Sequence, residues 1–517
     1  MVTDELKYHI RQAFAFPPTL EQEQAIAVFA DFFASPLHPS PSTFHHPPST
    51  MILRGAAGTG KTTLAAAIVR ALNTIGIKFV LLAPTGRAAK VFSLYAGQPA
   101  YTIHRRIYRQ KSLEGGFTLN YNVAQDTLFI VDEASMISDD ASDSTLHLPP
   151  SSFHLPPSSL LNDLIQFVYG GRHCRLLLIG DSAQLPPVGK TESPALSAAC
   201  LRAYGLDVFE ADLNEVLRQA AESGILFNAT RIRKFGERND TPLYLPPSTL
   251  DPRPSTLHEK IPSIRTKGFP DIHIVPGDEL IEQLASSYSH AGLDDTIVVT
   301  RSNKRANIYN EGIRRTILDR EDELCRGDRL MIVKNNYSLT QPHPLTPSPT
   351  GEGEAGSAPS FLANGDRCVV QRIRNVHEQH GFRFAEVTMT FPDYDDYELT
   401  ATVILDTLTS EAPALTRDQQ TQLYERVMAD YADIPRKADR LKKVKEDRYY
   451  NALQVKFAYA VTCHKAQGGQ WAHVYVDQGY MTDDMLTPEY LHWLYTAFTR
   501  ATDQLYLVNW PQTQVED

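Results

Sequence analysis

Short apolar runs recur along the chain, each bounded by turn or polar residues: Met51–Leu53, Phe79–Leu82, Leu128–Val131, Leu176–Ile179, Ile297–Val299, Val474–Val476 and Leu505–Val508. Runs of this length predict strands buried on both faces of a parallel sheet. Helical spacing lies between them. Leu64, Ala65, Ile68, Val69 and Leu72 recur three and four apart within Thr62–Leu72, and the spacing returns over Tyr490–Arg500, predicting a helix at each place. Strand and helix alternate once early and once late, so the pattern predicts an α/β protein with two doubly wound units. From about Leu324 to Lys445 the texture changes. Arg383-Phe-Ala-Glu-Val-Thr-Met-Thr-Phe alternates in and out, which predicts a small antiparallel barrel inserted into the second unit.

Four segments break the pattern: 35–50, 144–159, 242–255 and 338–360, built largely of Pro, Ser, Thr and His. The first three share words such as P-P-S-T and L-P-P-S. Proline-rich sequence with few branched apolar residues forms neither helix nor ladder, so these are expected to be surface loops between structured segments. Their histidines, His38, His45, His46, His147 and His154, are read as parts of repeat-borne inserts and not as a metal site.

At 517 residues the chain exceeds one core, and about 150 residues per domain suggests three or four folding units. Its 42% hydrophobic and 21% charged residues are those of an ordinary globular protein, and no apolar run reaches the roughly 20 residues of a membrane span. The polar, acidic start Met1-Val-Thr-Asp-Glu-Leu-Lys is unlike a secretory signal, so a cytoplasmic protein is expected. Cys174, Cys200, Cys325, Cys368 and Cys463 form no C-x-x-C pair, which fits reduced thiols. A net charge of −11 excludes little, because a polyanion responds to the field of a groove and not to the whole-chain sum.

The chemistry begins where the first apolar run ends. Gly55-Ala-Ala-Gly-Thr-Gly-Lys-Thr62 fits the phosphate-binding P-loop pattern at each fixed position. Its glycines let backbone N–H groups curl round phosphates, Lys61 adds a point charge, and the Thr62 hydroxyl suits Mg2+. Gly55, Ala56, Ala57, Gly58, Thr59, Gly60, Lys61, Thr62 and Thr63 are the expected nucleotide contacts. Asp132 and Glu133 cap the run Leu128–Val131. There Asp132 would hold the metal's shell, and Glu133 would orient or deprotonate the attacking water. The run Leu176–Ile179 ends in G-D-S-A-Q-L-P-P-V-G at 180–189, which places Gln184 to sense a terminal phosphate and two prolines to stiffen its loop. Arg218 and Arg500 are candidates for the positive charge that phosphoryl transfer needs.

In order, these words are G-A-A-G-T-G-K-T, A-P-T-G-R-A-A at 83–89, T-I-H at 102–104, V-D-E-A-S at 131–135, the 180–189 word, L-R-Q at 217–219, T-C-H-K-A-Q-G-G-Q-W at 462–471 and Y-T-A-F-T-R-A at 495–501. The series resembles the superfamily 1 helicases, specifically the RecD and Dda group of superfamily 1B. The resemblance implies two RecA-like P-loop lobes with parallel sheets flanked by helices. Lobe 1A would take residues 1–220, with a small 1B pin subdomain at 105–125. Lobe 2A would take 221–323 and 446–517, and an SH3-like 2B barrel would take 324–445. It also implies that Gln24 reads adenine and that Arg218 and Arg500 reach the terminal phosphate. Pro84, Thr85, Thr102, His104, Thr462 and His464 would touch single-stranded DNA or couple it to ATP. The activity implied is that of an ATP- and Mg2+-dependent DNA helicase moving 5′ to 3′ in repair, recombination or replication. Its partners would be single strands, duplex junctions and other repair or recombination proteins. An RNA-directed motor and a nucleotide-gated DNA-binding subunit of a larger complex stay open as alternatives.

The chain departs from the group's pattern at two positions. Gln470 stands where a glutamate is frequent, and Leu217 where some members carry a base-stacking tyrosine. Basic residues interleave with aromatic ones at His104–Lys111, and less clearly from Arg436 to Tyr450. Such tracks suit single strands, with stacking worth about 1–3 kcal/mol per base.

Overall fold

A computed structural model of the chain describes residues 2–14, 16–35, 47–110, 117–140, 159–216, 222–239, 262–336, 362–482 and 485–516. Residues 36–46, 144–158, 242–255 and 338–360 of the four Pro/Ser-rich segments fall outside the described residues, as do Arg218 and residues 111–116 of the expected pin, while Ser49 and Thr50, expected in a loop, open the first strand.

The first lobe runs α1 (Val2–Gln12), α2 (Leu20–Ala34), β1 (Ser49–Gly55), α3 (Lys61–Thr74), β2 (Lys78–Ala83), α4 (Gly86–Ala96), β3 (Ala100–Thr102), α5 (Ile103–Ile107), β4 (Tyr108–Gln110), β5 (Phe117–Leu119), β6 (Thr127–Val131), α6 (Leu160–Gly170), β7 (Arg175–Gly180), α7 (Ala198–Ala203) and β8 (Asp207–Leu213). Six strands form a parallel sheet in the order β3-β2-β6-β7-β1-β8, and all residues of β6 and β7 are buried. One face packs on α1 to α4 through Leu64, Ile68, Val69 and Leu72 of α3. The other face packs on α5 and α6 through Ile103, Ile107 and Leu164. Burying each such side chain stabilises the fold by about 1.5–3 kcal/mol. Because β6, β7 and β1 are adjacent, the loops that leave their carboxyl ends converge: Asp132-Glu133, Asp181–Gln184 and the P-loop. Ligands of open α/β sheets bind at such a place. In the pin region the described residues show α5 and the two-stranded β4–β5 pair.

The second lobe opens with α8 (Gly224–Asn239), β9 (Ile264–Arg265), β10 (Ile272–Val275), α9 (Leu280–His290), β11 (Thr296–Thr300) and α10 (Asn303–Gly312). The chain then builds the barrel: β12 (Arg329–Ile332), β13 (Arg367–Gln379), β14 (Phe382–Phe391), β15 (Tyr397–Ile404), two helices, α11 (Arg417–Asp430) and α12 (Lys437–Glu446), and β16 (Leu453–Phe457). It returns to the second lobe with β17 (Ala460–Thr462), α13 (Cys463–Ala466), β18 (Trp471–Asp477), α14 (Pro488–Phe498), β19 (Ala501–Val508) and β20 (Val515–Glu516). The lobe's sheet has the order β10-β19-β18-β11-β17, all parallel.

The barrel is closed by five strands. Ala385, Val387, Met389 and Phe391 of β14 point into its core, as the alternation predicts, while Phe382 and Phe384 face the other way and pack with Leu423, Val427 and Val444 of the two helices. Its carboxyl boundary differs from the expected 445. The closing strand is β16, at Leu453–Phe457, paired with both β12 and β15. A short strand after two helices carries little periodic signal, which is why the boundary was misplaced. The basic run before it leads into two tyrosines with different settings. Tyr449 packs against Phe384, His377 and His380, whereas Tyr450 meets Tyr424 edge-on and stays exposed.

The barrel also touches the first lobe. Asp366 lies in the turn before β13, buried, and its Oδ2 accepts from the Tyr394 hydroxyl at 2.8 Å and from Ala363 N–H at 2.7 Å. Oδ1 faces Gly86 at the start of α4 so closely that a Cβ there would stand 2.5 Å from it. Lys90 of the same helix donates to the Pro392 carbonyl.

Candidate nucleotide and nucleic-acid site

A cleft of about 510 Å³ opens between the lobes at the carboxyl ends of β1, β6 and β7. From the first lobe its walls include Ala56, Ala57, Gly58, Gly60, Lys61, Thr62, Thr63, Glu133 and Gln184. From the second they include Ile225, Leu226, Gln470 and Arg500. Gly58 and Gly60 both have φ of 77°, the left-handed region where a side chain is strained, so the loop's curl depends on them. Gly55 and Thr59 belong to the loop but do not line the cleft. Thr59 is buried and its hydroxyl donates to the Ala56 carbonyl at 2.8 Å. Lys61 folds over the loop and donates to the Gly55 carbonyl at 2.9 Å.

Asp132 sits below the cleft, its Oδ1 accepting from Glu133 N–H at 2.9 Å. Burial and the neighbouring Glu133 push its carboxyl up to about 6, against the opposing pull of Lys61. Glu133 holds a left-handed φ of 53°, which turns its carboxylate into the cleft. Its Oε2 and the Gln184 Oε1 are buried with no hydrogen-bond partner among the described residues. Two unpaired acceptors beside an N–H-rich loop and a lysine form a donor and acceptor set suited to a hydrated Mg2+–nucleotide. Among the described residues no three His, Cys, Asp or Glu cluster to hold a metal.

Arg500 reaches the cleft wall from the second lobe. It is buried, and its guanidinium donates to the carbonyls of Thr496 and Gly469, both at 3.0 Å, and to the Thr499 hydroxyl at 3.1 Å. Arg218 lies outside the described residues.

The resemblance puts the adenine contact on Gln24. That side chain is exposed on α2, whereas Gln22 is 3% exposed and its Nε2 donates to the Thr59 carbonyl at 3.3 Å. Its Oε1 accepts from Thr19 N–H, and the Thr19 hydroxyl accepts from Gln22 N–H in a capping box. The signal was in the sequence, a threonine three residues before a glutamine at a helix start.

The expected nucleic-acid residues gather at strand ends. Pro84 and Thr85 follow β2, Thr102 ends β3, and Thr462 ends β17 with His464 just beyond. Thr85 caps α4 and Thr102 caps α5. The first lobe meets the second beside Thr85, since a Cβ on Gly468 would lie 3.2 Å from the Thr85 hydroxyl and 3.1 Å from Ala88 Cβ. Burial pushes His104 down to about 4 and lowers His464, so both rings are neutral at pH 7 and would meet nucleic acid by hydrogen bonding and not by charge. Lys465, which sequence reasoning passed over, has its Nζ buried without a partner among the described residues. Burial and then Lys456 bring that amine down to about 7.

Fold and site together define a P-loop NTPase of two RecA-like lobes with an inserted barrel. Residues 42–149 match the family described as AAA domain, and residues 457–508 match the UvrD-like helicase C-terminal domain. The chain is 32% identical over 177 residues to the ATP-dependent RecD2 DNA helicase of Deinococcus radiodurans, covering 34% of this chain and 20% of that protein. It is 28% identical over 202 residues to the ATP-dependent DNA helicase dda of Enterobacteria phage T4, covering 37% of this chain and 38% of that one. The chain thus spans between a fifth and two fifths of the curated relatives it matches. The structure of the Bacteroides Pif1 helicase with ADP-AlF3 and single-stranded DNA aligns over 97% of this chain and 95% of that one, at 14% identity and a TM-score of 0.44. The chain is homologous to the RecD2 and Dda helicases. No helix of the described residues is long and apolar enough to cross a membrane.

Proposed function

We propose that this chain is an ATP-dependent DNA helicase that moves 5′ to 3′ on a single strand and splits the duplex ahead. The observation that carries the reading is the cleft itself, in which the P-loop, Glu133 and Gln184 of one lobe face Arg500 of the other. Such a site changes with the spacing of the lobes, and the expected strand-contacting residues Thr85 and His464 lie on both sides of the same seam. When bound, Mg2+–ATP supplies the transferable phosphoryl group and the charge that draws the lobes together. Lys61 would meet phosphate oxygens, Thr62 and Asp132 would hold the metal's shell, and Glu133 would orient the attacking water or take its proton. Gln184 would sense the terminal phosphate, and Arg500 would offset charge on the phosphoryl oxygens. Arg218 is proposed beside it. Gln22 steadies the loop from α2. Both curated relatives are named as DNA helicases, which favours DNA over RNA as the track. Five unpaired cysteines fit a reducing, cytoplasmic setting.

Unwinding of 5′-tailed and 3′-tailed forked duplexes tests the proposal. Strand separation of the 5′-tailed fork alone, dependent on ATP, is expected; preference for the 3′ tail would reverse the direction, and two intact forks would remove the motor. Lys61→Ala should lower turnover by about 10²–10³-fold with an unchanged melting temperature, measured by phosphate release and thermal unfolding.

A further inference from the structure

The loop that carries Gln184 is encoded in the first lobe but held by the second. Leu185 N–H donates to the Thr496 hydroxyl at 2.7 Å, and Gln467 Nε2 donates to the Leu185 carbonyl at 2.6 Å. His492 Nδ1 donates to the Ala183 carbonyl at 2.9 Å. Tyr495 adds a fourth contact, its hydroxyl donating to Asp181 Oδ2 at 2.7 Å. The same hydroxyl accepts from the P-loop, from Ala57 N–H at 2.8 Å. Asp181 and Tyr495 are 2% and 1% exposed, so water does not compete for these bonds. Thr496, Tyr495 and His492 all lie on α14, whose end leads directly to Arg500.

We propose that Tyr495 is the positioning residue that joins the nucleotide cradle to the sensing elements. Through α14, Gln184 and Arg500 form one mechanical unit, and the Tyr495 hydroxyl connects that unit to Ala57. Displacement of the P-loop by phosphates is then felt at Asp181 and along α14 through the Tyr495 side chain, which reaches from the second lobe to the first. A hydroxyl that donates one way and accepts the other is needed, and no other side chain of this shape supplies both. The inference rests on the motor reading, deepening it with a residue that touches neither phosphate nor strand.

The test uses the full chain, ATP turnover with and without oligo-dT, and oligo-dT affinity with and without a non-hydrolysable ATP analogue. Tyr495→Phe keeps the ring and removes both hydrogen bonds. Strand-stimulated kcat is expected to fall about tenfold and the nucleotide-dependent change in strand affinity to shrink by a similar factor. KM for ATP should stay near wild type, and the melting temperature should fall slightly because Asp181 and the Ala57 N–H lose a buried partner. Asp181→Asn should give part of the same loss, and the double variant no more than Tyr495→Phe alone. Wild-type coupling in Tyr495→Phe, additive losses in the double variant, or a much lowered melting temperature with kcat recovered on cooling would each overturn the inference. Wild-type turnover indifferent to oligo-dT would instead sink the motor reading, which keeps the two failures distinct.

Discussion

Lys465 is a cation placed where the fold gains nothing from it. Its Nζ is buried without a partner among the described residues, and burial together with Lys456 brings it down to about 7. A lysine whose folded pKa is depressed opposes folding wherever the unfolded chain would hold its proton. Its penalty is therefore greatest at low pH and is relieved as pH rises from about 7 toward the ordinary lysine value. A buried polar group left unpaired costs about 1–3 kcal/mol, and such groups persist where a ligand completes them. It follows His464 in the word that the resemblance assigns to the strand, so the completing group proposed is a backbone phosphate. Lys465→Met should raise the melting temperature at neutral pH while weakening single-strand binding several-fold. Thermal unfolding and fluorescence titration read the two effects, and a variant both less stable and fully able to bind would contradict the assignment.

At the scale of elements, the start of α2 fixes both a helix and the P-loop. The capping box between Thr19 and Gln22 satisfies N–H groups that the helix cannot, and the spare Gln22 amide hydrogen reaches the Thr59 carbonyl. Gln22→Ala is expected to raise KM for ATP several-fold and remove about 1 kcal/mol of stability, while Gln24→Ala changes neither; the reverse order in steady-state kinetics would reinstate Gln24. This pair also shows what the chain makes legible. Buried parallel strands declare themselves because every residue of β6 and β7 is buried and all but Thr127 and Arg175 are apolar or glycine, and α3 because its stripe packs on the sheet. Lys61, Glu133 and Gln184 were readable because a loop after a strand end has only one place to go. Gln22 was missed because E-Q-E-Q offers two glutamines, and only the helix register shows which one turns inward. Tyr495 was quoted within a motif but given no task, since its partners lie 314 and 438 residues away and no local pattern encodes such a contact.

The whole molecule is held as three bodies, and the barrel's seat on the first lobe is where its geometry is tightest. Gly86 opens α4 directly after Thr85, and a Cβ there would stand 2.5 Å from Asp366 Oδ1 and 2.8 Å from the Tyr394 hydroxyl. Burial pushes Asp366 up to about 7, against the opposing bonds from Ala363 N–H and Tyr394. A carboxyl with a raised folded pKa favours the seated barrel while protonated and loses that contribution as pH rises through about 7. The seat lies beside Thr85 and Gly468, so a barrel that lifts there opens the seam in which the strand is proposed to run. Gly86→Ala should therefore separate barrel and first lobe, seen as a longer distance between fluorophores placed on the two, and should lower unwinding more than strand-free ATP turnover. Adding Asp366→Ala removes the oxygen that the new methyl meets, and is expected to restore the short distance and much of the unwinding. An unchanged distance in Gly86→Ala, or a double variant no better than the single, would show that the barrel is held elsewhere and that this seat does not set the width of the groove.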